Sequence, residues 1–496
     1  MSSRPHAGTS DRILLFLILA VYLVLGGLYA LLTPLWQAPD EPAHFNNIAV
    51  IAQTGHLPVL QPGDYDQAYL EKLKRERFPP HLSITRVRYE GHQPPLYYSL
   101  MAPLWGALQS AGVRGQVWVL RWVNVLIGAG ALCWLWLAVR RLFPRRPRLG
   151  LLAVGFAAFL PMHVAMNASI NNDALAEFFI AVVMWRLLGH VMESATSGRA
   201  WAITGAMVGL ALLTKFQTYF LAPLALGVWG WQVMDGMRGA RAWRTAMALL
   251  LPMLLLPLPW WLRNMAHYGP TDPFGLDRHA AVVVGQPRTV DWIASQGWSA
   301  FLDRFVTFTF RSFWGVFGWM GVFMDARIYM LLTLLSGLIL AGVFFQLWRW
   351  RKGMLQLRPV QIRGGWLLLA QLVAVTGAFL WYNLDFVQHQ GRYLFPALLP
   401  ISLLAAAGLM GVFSVEGSRW GMTAVGVYFI AILGLGWRSG QMNKWGVLLS
   451  ILAMGMMVGR RWLARVDAFW WGLAAEGVMA CVALYGLFGA ILPQLG

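Results

Sequence analysis

Long apolar runs constrain this chain more than any other feature. Stretches of roughly 16 to 23 residues, the length a helix needs to cross a hydrocarbon core, recur near 13–35, 117–139, 148–168, 174–193, 199–214, 217–234, 245–262, 326–348, 365–382, 394–413, 420–437, 445–459 and 468–489. Backbone exposed to lipid must satisfy its own hydrogen bonds, and runs of this length do so as helices. With 58% hydrophobic and 12% charged residues over 496 positions, no soluble core could absorb so much apolar side chain. The sequence predicts an all-α integral membrane protein with about 13 transmembrane helices.

Basic residues outnumber acidic ones by 39 to 21. Nucleic-acid binding would produce such an excess, but here the basic residues stand in short clusters between apolar segments, so topology explains them and no nucleic-acid partner is expected. Alternating sides places 1–12, 140–147, 194–198, 235–244, 349–364, 414–419 and 460–467 together. That side carries Arg140-Arg141, Arg145-Arg146, Arg349, Arg351-Lys352, Arg358 and Arg460-Arg461, and the positive-inside rule makes it cytoplasmic. The other side receives two connections, 36–116 and 263–325, far longer than ordinary helix joints. Residues 95–110 are apolar enough to pass for a crossing, but counting them as one would put the arginines of 140–148 outside; an interfacial or re-entrant helix is expected instead. The segment 301–320, with Arg304 and Arg311 among Phe and Trp, is expected to lie in the same way. No small-residue cleavage pattern follows the first apolar run, which is expected to be a retained anchor. Cys133 and Cys481 lie far apart inside apolar runs, so neither a disulfide framework nor a thiolate metal site is expected.

Where charge is scarce, each charged residue is informative. Asp40 and Glu41, in Pro39-Asp40-Glu41-Pro42, follow the first apolar run directly. Two adjacent carboxylates at a membrane edge must stay hydrated, be paired or be used. Pro42 suits the first turn of a helix, which would set both acids at its positive N-terminal end; simple helix-start residues on a wet loop would read the same. Asp173, after Asn171-Asn172, suits an N-cap and equally a site facing the same cavity. Lys215 interrupts an apolar hairpin from 199 to 234, and Arg392 and Arg121 stand at outer helix edges. Cations so placed mark a site or a partner, or snorkel to the interface. Glu41 and His44 form Glu-x-x-His, a spacing used in di-metal bundles, but no second copy exists. A single divalent cation near Glu41, shared with His44 or His92, is the metal reading that remains. The 27 Trp and 27 Phe suit membrane interfaces, so no individual Trp is assigned to sugar stacking.

Asp40-Glu41, His92-Gln93-Pro94-Pro95-Leu96-Tyr97-Tyr98, Arg121, Asn172-Asp173-Ala174, Lys215 and Gly391-Arg392-Tyr393 before Pro396 occur in a particular order. In that order the chain resembles the C-type membrane glycosyltransferases, in the branch of protein O-mannosyltransferases and the lipid A aminoarabinose transferase. The likeness spans roughly residues 13–400. It implies the glycosyltransferase C-type fold, a sugar donor carried on a polyprenyl phosphate, transfer on the extracytoplasmic face and no nucleotide sugar. The acceptor would be a hydroxyl of a glycan, lipid or protein, and no cofactor is required. The expected organisation is a catalytic module over 1–413, including the long loops, with additional helices over 414–496. The expected location is the plasma (inner) membrane, with the active site outside.

The chemistry follows from the residues as well. Moving a sugar from a phosphate to an alcohol needs a base for the hydroxyl proton as the anomeric carbon gains positive charge, and a carboxylate supplies one. Asp40 is the candidate base, with Glu41 orienting the acceptor or a cation and Asp173 the third catalytic candidate. Lys215 and Arg392, with Arg121, would bind the donor phosphate, because ammonium and guanidinium groups stabilise the leaving anion. His44 and His92 complete the substrate-binding set. A transporter or flippase of lipid-linked saccharides is the alternative, but transporters favour paired inverted repeats with ionisable groups near mid-membrane, and here the charges gather beside one long loop.

Overall fold

The structure, a computed structural model, describes residues 8–193 and 196–496. The expected cytoplasmic placement of residues 1–7 and 194–195 lies outside the described residues. Helix α1 (Thr9–Leu32) leads into the first long connection, which holds α2 (Glu41–Thr54), α3 (Gln67–Arg75), the 3-10 turns Ile84–Arg86 and Tyr89–His92, and α4 (Leu96–Ala107). At 12 residues α4 reaches about 18 Å, too short to cross a bilayer, as expected for 95–110. Helix α5 (Gly112–Leu142) is followed by α6 (Pro147–Ala158) and α7 (Pro161–Asn167), two arms of one apolar segment bent by 68°. Then come α8 (Asp173–Met192), α9 (Gly198–Leu212), α10 (Leu221–Met234) and a second bent pair, α11 (Gly239–Leu255) and α12 (Leu258–Tyr268). The second long connection contains α13 (Leu276–Val282), α14 (Thr289–Trp314), which kinks at Gly297, and a hairpin of β1 (Val316–Phe317) and β2 (Val322–Phe323). Helices α15 (Ala326–Arg351), α16 (Pro359–Asp385), the 3-10 segment Gly391–Ala397, α17 (Leu398–Val412), α18 (Ser418–Ser439), α19 (Lys444–Trp462) and α20 (Ala468–Tyr485) complete the bundle.

Among the described residues, 8 helices are long and apolar enough to span a bilayer, or 10 with each bent pair taken as one span, against the 13 expected. The difference has local causes. The expected spans 199–214 and 217–234 fold as α9 and α10, of 15 and 14 residues, each about 22 Å long against a core of about 30 Å. They are cut apart at Lys215 and the 3-10 turn Phe216–Thr218. Helix α19 carries Lys444, Arg460 and Arg461 at its ends, which shortens its apolar stretch. Phe16, Trp381, Ile430 and many other large apolar side chains are exposed on the outer faces, an arrangement that needs lipid around it.

Inside the bundle the helices approach closely where side chains are small. Gly342 of α15 packs on the backbone of Gly408 in α17, and Gly411 packs back on Gly342, the small-residue contact on which membrane helices rely. The helices beyond residue 413 pack on those before it. Helix α20 packs against α1, α6, α7 and α17, and the Tyr29 hydroxyl donates to the Ala483 carbonyl at 2.6 Å.

The two long connections lie at the same end of the bundle and lock together. Tyr268 Oη accepts from Leu60 N at 2.9 Å, and Arg278 and Arg263 donate to the carbonyls of Leu60 and Pro58 at 2.9 and 2.6 Å. Residues 301–320 are more deeply engaged than an interfacial segment would be: Trp314 is buried, and Trp319 Nε1 donates to the Trp36 carbonyl at 2.9 Å. These locks roof a polar site at the outer ends of α7, α8 and α17.

Candidate active site

The site is organised by one buried ion pair. Glu41 opens α2 and is fully buried, as is Arg121 of α5. Arg121 Nε and Nη2 donate to the two oxygens of Glu41, each at 2.7 Å. The remaining guanidinium hydrogens go to the carbonyls of Ala30, Thr33 and Pro34. Glu41 also accepts from the amides of Trp36 and Ile170, each at 3.1 Å. All five Arg donors are used, which is the condition for a buried charge pair to be tolerated. Glu41 and Arg121 are thus brought to each other rather than to an open cavity.

Asp40 is the residue that this pair presents. It sits at the N-cap of α2 with φ 64 and ψ −5, and its side chain does not cap the helix. A left-handed backbone costs a non-glycine residue about 1–3 kcal/mol, and such strain gathers at functional sites. Its Oδ1 accepts from the Tyr89 hydroxyl at 2.7 Å, while Oδ2 faces Arg392 Nη2 at 3.5 Å. The carboxylate remains one-third exposed. Arg392 is held by Gln390 Oε1 at 2.7 Å and is 8% exposed, so its long contact to Asp40 leaves a cation only loosely satisfied.

Lys215 is ion-paired with Asp173. The break between α9 and α10 puts it there: Thr218 caps the turn by donating to the Lys215 carbonyl, and Asn172 binds the Thr214 carbonyl at 3.0 Å. Asn172, not Asp173, is the N-cap residue of α8; Asp173 begins the helix, and its carboxylate is free for Lys215. Lys215 pairs with Asp173, Arg392 faces Asp40, and Asp173 and Arg392 line one groove, so these four gather at one place, and His44 feels the charge of all four. Burial is the main cause that drives the His44 pKa down to about 4, leaving a neutral imidazole whose Nδ1 shares a hydrogen bond with Tyr98 Oη at 2.8 Å. His92 stands at the flank. Its ring lies 4.1 Å from that of His279 in α13 and stacks on Phe216, joining the two long connections. Burial pushes its pKa well down.

Two members of the site escaped the sequence reading. Tyr89 holds Asp40, and Glu90 is buried with its Oε2 unpartnered. Burial first, and the Asp40 carboxylate next, push the Glu90 pKa up to about 8, which keeps it protonated near neutrality. A narrow groove lies beside these groups. Asp173, Gln217 and Arg392 line its polar part, and Met166, Ile180 and Phe395 its apolar part.

Among the described residues, no three His, Cys, Asp or Glu side chains gather as metal ligands. The single cation expected near Glu41 does not fit there, because both oxygens of Glu41 are occupied by four hydrogen bonds.

Residues 94–262 match the family model described as dolichyl-phosphate-mannose-protein mannosyltransferase. Comparison with curated proteins gives no match. Among solved structures the chain is similar to ArnT from Cupriavidus metallidurans bound to undecaprenyl phosphate, with a TM-score of 0.53 and 16% identity over 98% of this chain and 78% of that one. ArnT in the apo state gives 0.52 and 17% over the same shares. The Archaeoglobus fulgidus oligosaccharyltransferase in the apo form gives 0.47 and 13% over 93% of this chain and 56% of that one. The ArnT likeness shows the fold, and it extends through the C-terminal helices.

Two predictions follow from this geometry. Glu41→Gln leaves the Arg121 charge buried without its counterion and should cost about 3–5 kcal/mol, seen as a clear drop in the thermal midpoint of the purified protein. Glu90 binds its proton more tightly folded than unfolded, so its contribution to stability is complete below the ordinary carboxyl range and is lost as pH climbs through about 8. The midpoint of the wild type should therefore fall relative to Glu90→Gln between weakly acidic and weakly alkaline pH; parallel curves would disprove the assignment.

Proposed function

We propose that the protein is a membrane glycosyltransferase that moves a sugar from a polyprenyl-phosphate-linked donor to an acceptor hydroxyl on the extracytoplasmic face. The observation that carries this reading is the convergence of a partly exposed carboxylate, Asp40, with two cations, Arg392 and Lys215, beside a groove that turns from polar to apolar. The family match over 94–262 includes Arg121, Asp173 and Lys215, and the ArnT that shares the fold holds undecaprenyl phosphate.

In this mechanism Asp40 accepts the proton of the acceptor hydroxyl as its oxygen attacks the anomeric carbon. The bond from that carbon to the phosphate oxygen breaks, and the polyprenyl phosphate leaves with the bonding pair. Lys215 and Arg392 take up the growing charge on the phosphate, a stabilisation that strengthens in a site shielded from water. Asp173 fixes Lys215. Tyr89 orients Asp40, and its hydroxyl stabilises the carboxylate form that the base requires. His44, neutral and fixed by Tyr98, is placed to bind substrate hydroxyls, and His92 shapes the wall. Glu41 and Arg121 act through Asp40 by holding its backbone; they are positioning residues.

Asp40→Asn should reduce transfer by about 10²–10⁴-fold, the worth of a general base, without a loss of thermal stability. Wild-type rates in that variant with a lipid-linked donor would remove Asp40 from the mechanism. Lys215→Met and Arg392→Met each delete a charge-assisted contact of about 1.5–3 kcal/mol, so affinity for a short-chain polyprenyl phosphate should fall about ten- to a hundredfold. Unchanged binding would reduce both cations to structural anchors.

Sidedness is tested separately. A cysteine at Gln67, on the loop-bearing end, should label in intact cells with an impermeant reagent, and one at Gln356 should not. The opposite pattern would place the site on the cytoplasmic face.

A further inference from the structure

A shallow surface recess lies on the first long connection, lined by Asp64, Tyr65, Asp66, Tyr69, Arg86 and Tyr89 among others. It shares one wall with the site. Tyr65 packs edge-to-face on Tyr89 at 5.4 Å, and the hydroxyl of Tyr89 is the one that holds Asp40. A ligand in this recess is thus separated from the base by a single aromatic side chain. None of its lining residues belongs to the groove beside Arg392.

The chemistry of the two recesses differs. The groove turns apolar among Met166, Ile180 and Phe395, whereas the surface recess is built of aromatic rings and charges. Its two acids each have a cationic partner, Asp66 facing Arg86 of the same lining at 3.4 Å and Asp64 facing Arg88, outside the lining, at 3.2 Å. In a chain of net charge +18, such local pairing disfavours both an anionic headgroup and a basic peptide. Asp66 Oδ1 is spent on the amide of Tyr69, the first turn of α3, while Oδ2 and Arg86 meet only at long range with both side chains open to solvent. They can exchange that contact for ligand hydroxyls. Arg86 also lies over the Tyr69 ring at 5.0 Å, which holds the guanidinium at the rim. Carboxylate and guanidinium together accept from and donate to vicinal hydroxyls, and tyrosine faces pack on C–H groups.

We propose that this recess is the acceptor subsite and that it takes a neutral saccharide, one hydroxyl of which reaches Asp40 past the edge of Tyr89. The assignment to an acceptor rests on the transferase reading above. It divides the labour of the site: the lipid-linked donor enters from the bundle side, and the acceptor from the aqueous side.

The test uses the full-length protein in nanodiscs, with a panel of soluble neutral hexose oligosaccharides as probes and saturation-transfer NMR as the readout. At least one probe should bind the wild type, and Tyr65→Ala should weaken that binding about tenfold or more. Tyr65→Phe, which keeps the ring, should bind as the wild type does and so reports on folding. Asp66→Asn, which can still cap α3, should also weaken binding. Affinity for a short-chain polyprenyl phosphate should stay unchanged in Tyr65→Ala. The proposal is overturned if no neutral saccharide binds the wild type, if Tyr65→Ala binds it equally well, or if a Ser/Thr-rich peptide binds in a Tyr65-dependent way instead. Failure of the donor reading would look different: polyprenyl phosphate binding would be insensitive to Arg392→Met while the saccharide result stood.

Discussion

The ion pair between Glu41 and Arg121 ties five separate parts of the chain at one point. It joins the end of α1 through the carbonyls of Ala30, Thr33 and Pro34, the corner at Trp36, the first turn of α2, the middle of α5 and the start of the α7–α8 connection at Ile170. Two charges taken fully out of water cost several kcal/mol each, and only complete hydrogen bonding offsets that cost. The benefit is geometric. Trp36 and Asp40, both with positive φ, are left-handed residues four apart, and the pair fixes the backbone on either side of the carboxylate that faces Arg392. A chain that spent its buried pair on packing alone could have used apolar side chains instead; holding a strained Asp40 in one orientation is what apolar packing would not do.

Much of the site was legible because charge is so scarce in this chain. Asp40, Asp173, Lys215 and Arg392 each interrupt or border an apolar run, and membrane burial makes such residues conspicuous. Their convergence rests on chain breaks that the sequence also marks: Lys215 itself splits α9 from α10, and Gly391 lets the 3-10 segment approach the backbone of Thr309 and Phe313. The same break accounts for two of the expected spans, 199–214 and 217–234, that are too short to cross.

What stayed hidden depends on burial and on pairing over distance. Glu41 and Arg121 stood out singly, yet nothing in a sequence says that residues 80 apart saturate one another. Tyr89 and Glu90 lie in a polar loop beside Arg86 and Arg88, where charged and aromatic residues are ordinary. Their role comes from the closure of α2, α4 and the second long connection over them, which removes water and leaves Glu90 facing Asp40. A periodicity argument has no purchase on such a loop, because its fold is set by contacts with residues up to 218 positions away.

The electrostatic balance of the site then explains why one carboxyl must be neutral. Asp40 and Asp173 supply two negative charges, and Lys215 and Arg392 supply two positive ones. The contact between Arg392 and Asp40 is long, so the Arg392 cation is only loosely paired. An ionised Glu90 would add a third negative charge beside Asp40 in a region of low dielectric, where like charges repel strongly. Burial of Glu90 prevents this by favouring its neutral form. His44, neutral for the same reason, adds no positive charge. The two residues keep the difference between carboxylates and cations near zero, and they do so through exclusion of water rather than through partners, which ties the charge state of the cluster directly to the packing of the loops above it.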